Sequence, residues 1–148
     1  MTAAKHRAAE DTAIHALLDE RVRAIRAKDV DRLVASHTRD VIAFDLLDPL
    51  RYQGLDALRA RIVAWFAGFD GPIGYGIHEV EIAAGEEVAF CHCLNRVEGT
   101  GTDGKAIEMW WRATIGFRRT GGRWMVTHEH SSVPFDMHSG KARLDLKP

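Results

Sequence analysis

At 148 residues, with 46% hydrophobic and 28% charged side chains, the chain is long enough to bury one real core without disulfides and too short for two domains of ordinary size. That composition excludes a disordered polymer. Twenty Lys and Arg against 21 Asp and Glu leave a formal net charge of -1, so no nucleic-acid partner is expected.

Residues 1–10 are polar, lack the apolar run of an export signal, and are expected as a flexible N-terminus. Ile14, Leu17, Leu18, Val22 and Ile25 then recur on one stripe, which predicts an amphipathic helix. Arg21, Arg23, Arg26 and Lys28 read most simply as its solvated face. After a break at Lys28-Asp29, Leu33 and Val34 suggest a short second helix, and Val41 to Phe44 a strand. The segment from Asp45 to Gly54, broken by Pro49, reads as a turn or irregular crossover. Leu55, Leu58, Ile62, Trp65, Phe66 and Phe69 predict a third helix, ended by the Gly68–Pro72 loop. Four strands follow, over 77–84, 88–97, 106–118 and 123–132, joined by a turn at 85–87, a glycine-rich hairpin loop at 99–104 and a turn at 120–122. Residues 135–148 are expected as a loosely held tail.

Three helices with an early strand, then a four-stranded meander, predict an α+β fold. No apolar run is long enough to span a bilayer. Cys91 and Cys93 lie two apart, poorly placed to bridge each other, so a reducing cytoplasmic setting is the default. No phosphate-cradling glycine loop is present, and no cofactor is expected. His128 and His130, at i and i+2 on one strand, invite a zinc reading, with His92 on the same face. No third ligand is close in sequence, so hydrogen-bonded histidines are the preferred reading and no metal is expected. His6, His15, His37, His78 and His138 are scattered and receive no role.

Several segments together match a known pattern. They are Phe44-Asp45 with Pro49 and Gly54 between the second and third helices, the Arg112-x-Thr114 pair, and the closing strand Trp124 to Ser132 followed by Pro134. Over about Asp11 to Pro134 the chain resembles the SnoaL-like, ketosteroid-isomerase-like proteins of the nuclear transport factor 2-like superfamily. It is also similar to the association domain of calcium/calmodulin-dependent protein kinase II. The resemblance implies one domain over 11–134: a cone-shaped roll of three N-terminal helices on a strongly curved, mostly antiparallel sheet. It further implies a small organic ligand in a pocket on the inner sheet face and a homodimer through the outer face.

Strand alternation splits the third long strand into Glu108, Trp110, Arg112 and Thr114 against Met109, Trp111, Ala113, Ile115 and Phe117. The first set mixes polar groups with one aromatic, as a ligand site would. The second is apolar, as a packing or dimer face would be. For the last strand, periodicity does not decide the inner set. The resemblance places Thr127, Glu129 and Ser131 inside, and by the same reading Cys91, Cys93 and Asn95. Leu58, Ile62 and Phe66 of the third helix complete the expected pocket wall.

Asp45 falls at the position of the general base in ketosteroid isomerases. Desolvation beside Phe44 and Leu46 would suit it to accept a proton near neutrality. Otherwise it is a turn-forming Asp before Pro49. Arg112 is the expected anion clamp, or the internal partner of Glu129, Glu108 or Asp45. Glu129 is a second acid/base group or that partner, and Trp110 a flat wall for an apolar ligand. The tyrosine and aspartic acid that form the isomerases' oxyanion hole are replaced here by Arg21 and Thr114, which argues against steroid isomerisation. The resulting expectation is proton-transfer chemistry of isomerase, cyclase or dehydratase type on a small carbonyl or carboxylate compound. The alternatives are a non-catalytic ligand-binding module and an oligomeric assembly module.

Overall fold

The computed structural model describes residues 2–148; Met1 lies outside them. Helix α1 spans Ala3–Arg26, so residues 3–10 of the expected flexible N-terminus are helical. Its buried line is Ile14, Leu18, Ala24 and Ile25, the i, i+4 and i, i+7 spacing of one helix face. Near its start, buried Glu10 accepts a hydrogen bond from the Trp124 indole at 2.5 Å and pairs with Arg119, tying the helix to the far end of the sheet.

Lys28 takes a left-handed backbone (φ 53°) that stops α1, and Asp29 caps α2 (Val30–Val34) by accepting from the Arg32 amide at 3.0 Å. Strand β1 (His37–Phe44) is followed by the two-residue β2 (Tyr52–Gln53) and by α3 (Leu55–Ala67), which buries Leu58, Ile62 and Phe66. Four long strands follow: β3 (Gly74–Ala84), β4 (Val88–Thr100), β5 (Ala106–Thr120) and β6 (Arg123–Ser132).

The six strands form one sheet in the order β2-β1-β6-β5-β4-β3. All neighbours are antiparallel except β1 and β6, which run parallel. The three helices pack on this mixed, mostly antiparallel sheet in an α+β arrangement, as predicted. Gly99 lets the β4–β5 hairpin approach the end of α3. A Cβ there would sit 2.9 Å from the Phe69 ring and 3.1 Å from the Pro72 carbonyl oxygen.

The hairpin register corrects the expected face of β5. Cys93 stands opposite Ala113 and Asn95 opposite Trp111, while Leu94 faces Arg112 and His92 faces Thr114. Opposed residues share a face of the sheet. With Cys91, Cys93 and Asn95 buried inside, Met109, Trp111, Ala113 and Ile115 must also be inside. Trp110, Arg112 and Thr114 therefore point outward, against expectation. Trp110 lies against the His78 ring at 5.0 Å, and exposed Arg112 donates to Ser132 Oγ at 3.1 Å. One residue of phase inverts a whole strand.

A bulge corrects β6. Gly116 pairs with His128 but Phe117 pairs with Val126, so Thr127 has no partner on β5 and alternation restarts after it. Trp124 and Val126 are buried on one side of the bulge, and Glu129 and Ser131 reach the interior on the other. Thr127 stays out of the interior, its hydroxyl 3.4 Å from that of Thr38.

Two apolar clusters fill the space under the helices. One joins Ile14 and Leu18 to Cys91, Ile115, Phe117, Trp124 and Val126. The other joins Ile25, Leu33 and Val41 to Leu58, Ile62, Phe66 and Tyr75. Full burial of each large side chain here stabilises the fold by about 1.5–3 kcal/mol.

Candidate functional site

A cavity of about 570 Å³ opens beside the second of these clusters, between α3 and the inner faces of β4, β5 and β6. Its walls are mainly apolar: Leu58, Ile62 and Trp65 from α3, and Met109, Trp111 and Ile115 from β5. Trp65, Trp111 and Tyr75 pack edge-on or tilted, with ring centroids 6.0–6.4 Å apart, which fixes this aromatic wall. Leu46 and Leu47 border the opening, and Ala142 and Leu144 reach it from the C-terminal segment. That segment, expected as a loose tail, is folded into a turn. Phe135 bridges Ala142, the Asp136 carboxylate accepts from the amides of His138 and Ser139, and Lys147 Nζ lies 3.3 Å from Glu108.

Two charged groups from different helices enter this apolar space, each with a carboxylate. Arg21 lies on the buried line of α1, between Leu18 and Ile25, and pairs with Glu129 of β6. Its side chain is 12% exposed and that of Glu129 15%. His37, 1% exposed, completes the group: Nδ1 lies 3.1 Å from the Leu33 carbonyl oxygen and Nε2 3.0 Å from Glu129 Oε1. The ring is held in place between these two acceptors. Burial alone would push the Glu129 carboxyl up, but Arg21 and His37 outweigh it and hold the group well below the usual carboxylate range. Burial pushes the Tyr75 hydroxyl up to about 12 despite the Arg21 charge, so it is a neutral O–H group at neutral pH. Asn95 and Ser131 add polar atoms to the same wall.

The second pair is Asp45 with Arg61. Asp45 follows the end of β1, and its Oδ1 accepts from the Leu46 amide at 2.6 Å. Arg61 Nε lies 2.6 Å from Asp45 Oδ2, yet its N–H does not point at that oxygen, so the contact is ionic rather than a directed hydrogen bond.

The candidates named from sequence therefore divide. Asp45, Glu129, Asn95, Ser131, Leu58 and Ile62 line the cavity. Phe66, Cys91 and Cys93 are buried in the packing around it without lining it. Arg112, Trp110, Thr114 and Thr127 are elsewhere, and Arg112 contacts none of its three expected carboxylate partners. Glu108 instead pairs with Arg96 and Lys147. Sequence reasoning missed Arg21, Arg61, His37, Tyr75 and Trp111. Helical spacing held a signal for two of them: Arg21 falls three after Leu18, and Arg61 three after Leu58. Among the residues read as a solvated face, Arg23 is exposed, Arg26 donates to the Tyr75 carbonyl oxygen at 2.9 Å, and Lys28 to that of Phe69 at 3.1 Å.

A shallower groove of about 390 Å³ crosses the outer sheet face, bordered by His92, Leu94, Arg112, Thr114, His130 and Ser132. It is smaller and has no apolar wall of the aromatic kind, so the inner cavity is the stronger ligand site. Nearby, His128 uses Nδ1 on the Ile42 carbonyl oxygen at 2.7 Å, and Phe44 packs edge-on against His128 and His130. Among the described residues, no group of three or more His, Cys, Asp or Glu gathers to hold a metal ion. No helix among them is long and apolar enough to cross a membrane.

The model of the SnoaL-like domain family matches residues 14–136. An NTF2-like protein of unknown function from Pseudomonas putida KT2440 is 34% identical, with a TM-score of 0.86 over 95% of this chain and 98% of its own. A ketosteroid isomerase-like protein from Erwinia carotovora atroseptica SCRI1043 is 20% identical, with a TM-score of 0.70 over 82% of this chain and 93% of its own. An NTF2-like protein with a cystatin-like fold from Novosphingobium aromaticivorans is 18% identical, with a TM-score of 0.70 over 87% of this chain and 85% of its own. At those identities the latter two speak for the fold alone. No curated protein matches the chain. With the family model matched over most of its length and a 34% identical relative aligned nearly end to end, the chain belongs to the SnoaL-like family and has the NTF2-like fold.

Proposed function

We propose that the chain binds a small, largely apolar carbonyl compound in the inner cavity and moves a proton on it. The observation that carries this reading is a carboxylate and a guanidinium, Asp45 and Arg61, side by side on an apolar wall. Asp45 takes a proton from the carbon next to the carbonyl. The electron pair of that C–H bond moves toward the carbonyl oxygen, where Arg61 supplies the donor that stabilises the enolate. Returning the proton to another carbon gives an isomerase; passing it to a β-hydroxyl, which leaves as water as the enolate electron pair forms the carbon–carbon double bond, gives a dehydratase. Glu129 is assigned a holding role, because Arg21 and His37 stabilise its charged form and make it a weak base. Arg112, on the outer face, has no part in the step.

Solvent deuterium exchange into a panel of small ketones, read by proton NMR, tests the step directly. Wild-type protein is expected to catalyse exchange at the carbon beside the carbonyl. Asp45→Asn is expected to lose it with unchanged circular dichroism. Equal exchange by wild type and Asp45→Asn for every compound exchanged contradicts the assignment.

A second reading, a binding module without turnover, is supported by the fact that both cavity carboxylates already stand beside arginines. It expects ligands that raise the melting temperature with no exchange in wild type. Under either reading we assign the outer sheet face, where Phe90 is 50% exposed, to a homodimer contact.

A further inference from the structure

Glu129 meets both of its partners with one oxygen. The Arg21 guanidinium and His37 Nε2 both contact Oε1. Oε2 takes a hydrogen bond from none of the described residues, and it is not sealed in protein. The side chain lines the cavity and is 15% exposed, so the open oxygen faces the cavity. An ionised acceptor on a mainly apolar wall gains most from a directed donor. Its charge is already offset by Arg21. A ligand ammonium would therefore bring an uncompensated positive charge into the apolar space, and a ligand carboxylate an uncompensated negative one. A neutral O–H or N–H brings neither. The rest of the wall narrows the choice. Asn95 Oδ1 accepts from the Cys93 thiol at 3.4 Å, which leaves the amide N–H groups as donors. Ser131, on the same face of β6, and Tyr75 add hydroxyls. A ligand hydroxyl both donates and accepts, so it fits a wall with one open carboxylate oxygen and several donors; an N–H only donates.

We propose that Glu129 is the specificity anchor of the cavity: its Oε2 receives a neutral hydroxyl of the ligand, so the compound handled by Asp45 and Arg61 is a hydroxy-carbonyl compound. The register sets the spacing. Ala43 stands beside Glu129 in the parallel β1–β6 ladder, and Asp45 lies two residues beyond Ala43. Two residues of strand span about 7 Å, close to the length of a benzene ring with substituents at its two ends. Trp65 and Trp111 supply flat apolar contact for such a ring. Glu129 binds and does not react: Arg21 and His37 stabilise its charged form, so the proton stays on the ligand oxygen. The proposal rests on the reading that the inner cavity is the ligand site. It goes beyond that reading by naming the group that Glu129 recognises and its place on the ligand.

The test is displacement of aminoanthracene, an uncharged apolar fluorophore, from the full chain by two matched competitors, para-hydroxypropiophenone and para-methoxypropiophenone. It is run below neutral pH, where the phenol keeps its proton. The methoxy compound retains the oxygen and loses only the donor. A hydrogen bond to a charged acceptor predicts that the hydroxy compound competes about tenfold more strongly. In Glu129→Gln the amide oxygen stays on Arg21, which only donates, and the amide nitrogen turns to the cavity. An acceptor there becomes a donor, and the ratio between the two ketones is expected to fall to about one. Each ratio is internal to one protein, so a general loosening of the variant does not affect it, and the wild-type ratio decides without the variant. Equal competition by the two compounds in wild type, or an advantage of the hydroxyl kept in Glu129→Gln, overturns the proposal and leaves the cavity reading standing. Failure of aminoanthracene itself to bind overturns both.

Discussion

Replacing Arg21 by leucine would strand Glu129 as a buried anion with only His37 beside it. Breaking a buried ion pair from one side costs about 3–5 kcal/mol, far more than a typical surface substitution. Arg21→Leu is therefore expected to shift the urea midpoint sharply downward. Arg21→Leu combined with Glu129→Leu should recover much of the loss, because no lone charge remains. The pH dependence follows from the direction of the Glu129 shift. Its carboxyl is held below the value of about 4.3 expected in an unfolded chain, so on acidification the unfolded state takes up the proton first. The stabilisation is fully present above that value and is lost as pH falls toward the folded value. Urea midpoints of Glu129→Gln should accordingly change less than those of wild type between about pH 5 and about pH 2. Equal slopes would contradict the ion-pair assignment.

At the level of elements, the helices and long strands were legible because their periods are strong. The α1 stripe, the α3 stripe and the meander all appear in the order predicted. The inner face of β5 was legible too: the Met109, Trp111, Ala113, Ile115, Phe117 set is apolar, and apolar sets face cores. Preference for a mixed polar set as a ligand wall inverted that strand and carried Arg112, Trp110 and Thr114 with it. The parity of the five-residue hairpin connection, 101–105, which opposes odd residues to odd, would have exposed the error. The bulge at Thr127 and the parallel β1–β6 pairing have no comparable local signal. Nor does the ion pair of Arg21 with Glu129, whose partners are 108 residues apart. The corrected face yields a sharp contrast between neighbours. Trp111→Leu removes an aromatic ring from the cavity wall and is expected to weaken aminoanthracene binding by about tenfold, as followed by fluorescence. Trp110→Leu, altered on the outer face against His78, is expected to leave that affinity within about twofold. The reverse order would contradict the register.

For the whole molecule, the packing divides labour. The cluster of Ile14, Leu18, Phe117 and Val126 closes one end of the sheet, and the cavity opens at the other. Segments far apart in the chain meet at the opening, from Leu46 and Leu47 to Ala142 and Leu144. The proposed dimer uses the outer sheet face. A charge at Phe90 would have to be desolvated in the proposed dimer, so Phe90→Glu is expected to run as a monomer in light scattering where wild type runs as a dimer. Identical masses would remove the outer face as the contact. The most direct test of the central claim, that the ligand site is the inner cavity, is a nitrogen-15 NMR map of the chain titrated with aminoanthracene. Shifts centred on Asn95, Trp111 and Ser131 are predicted; shifts centred on His92, Thr114 and Ser132, across the outer groove, would contradict it.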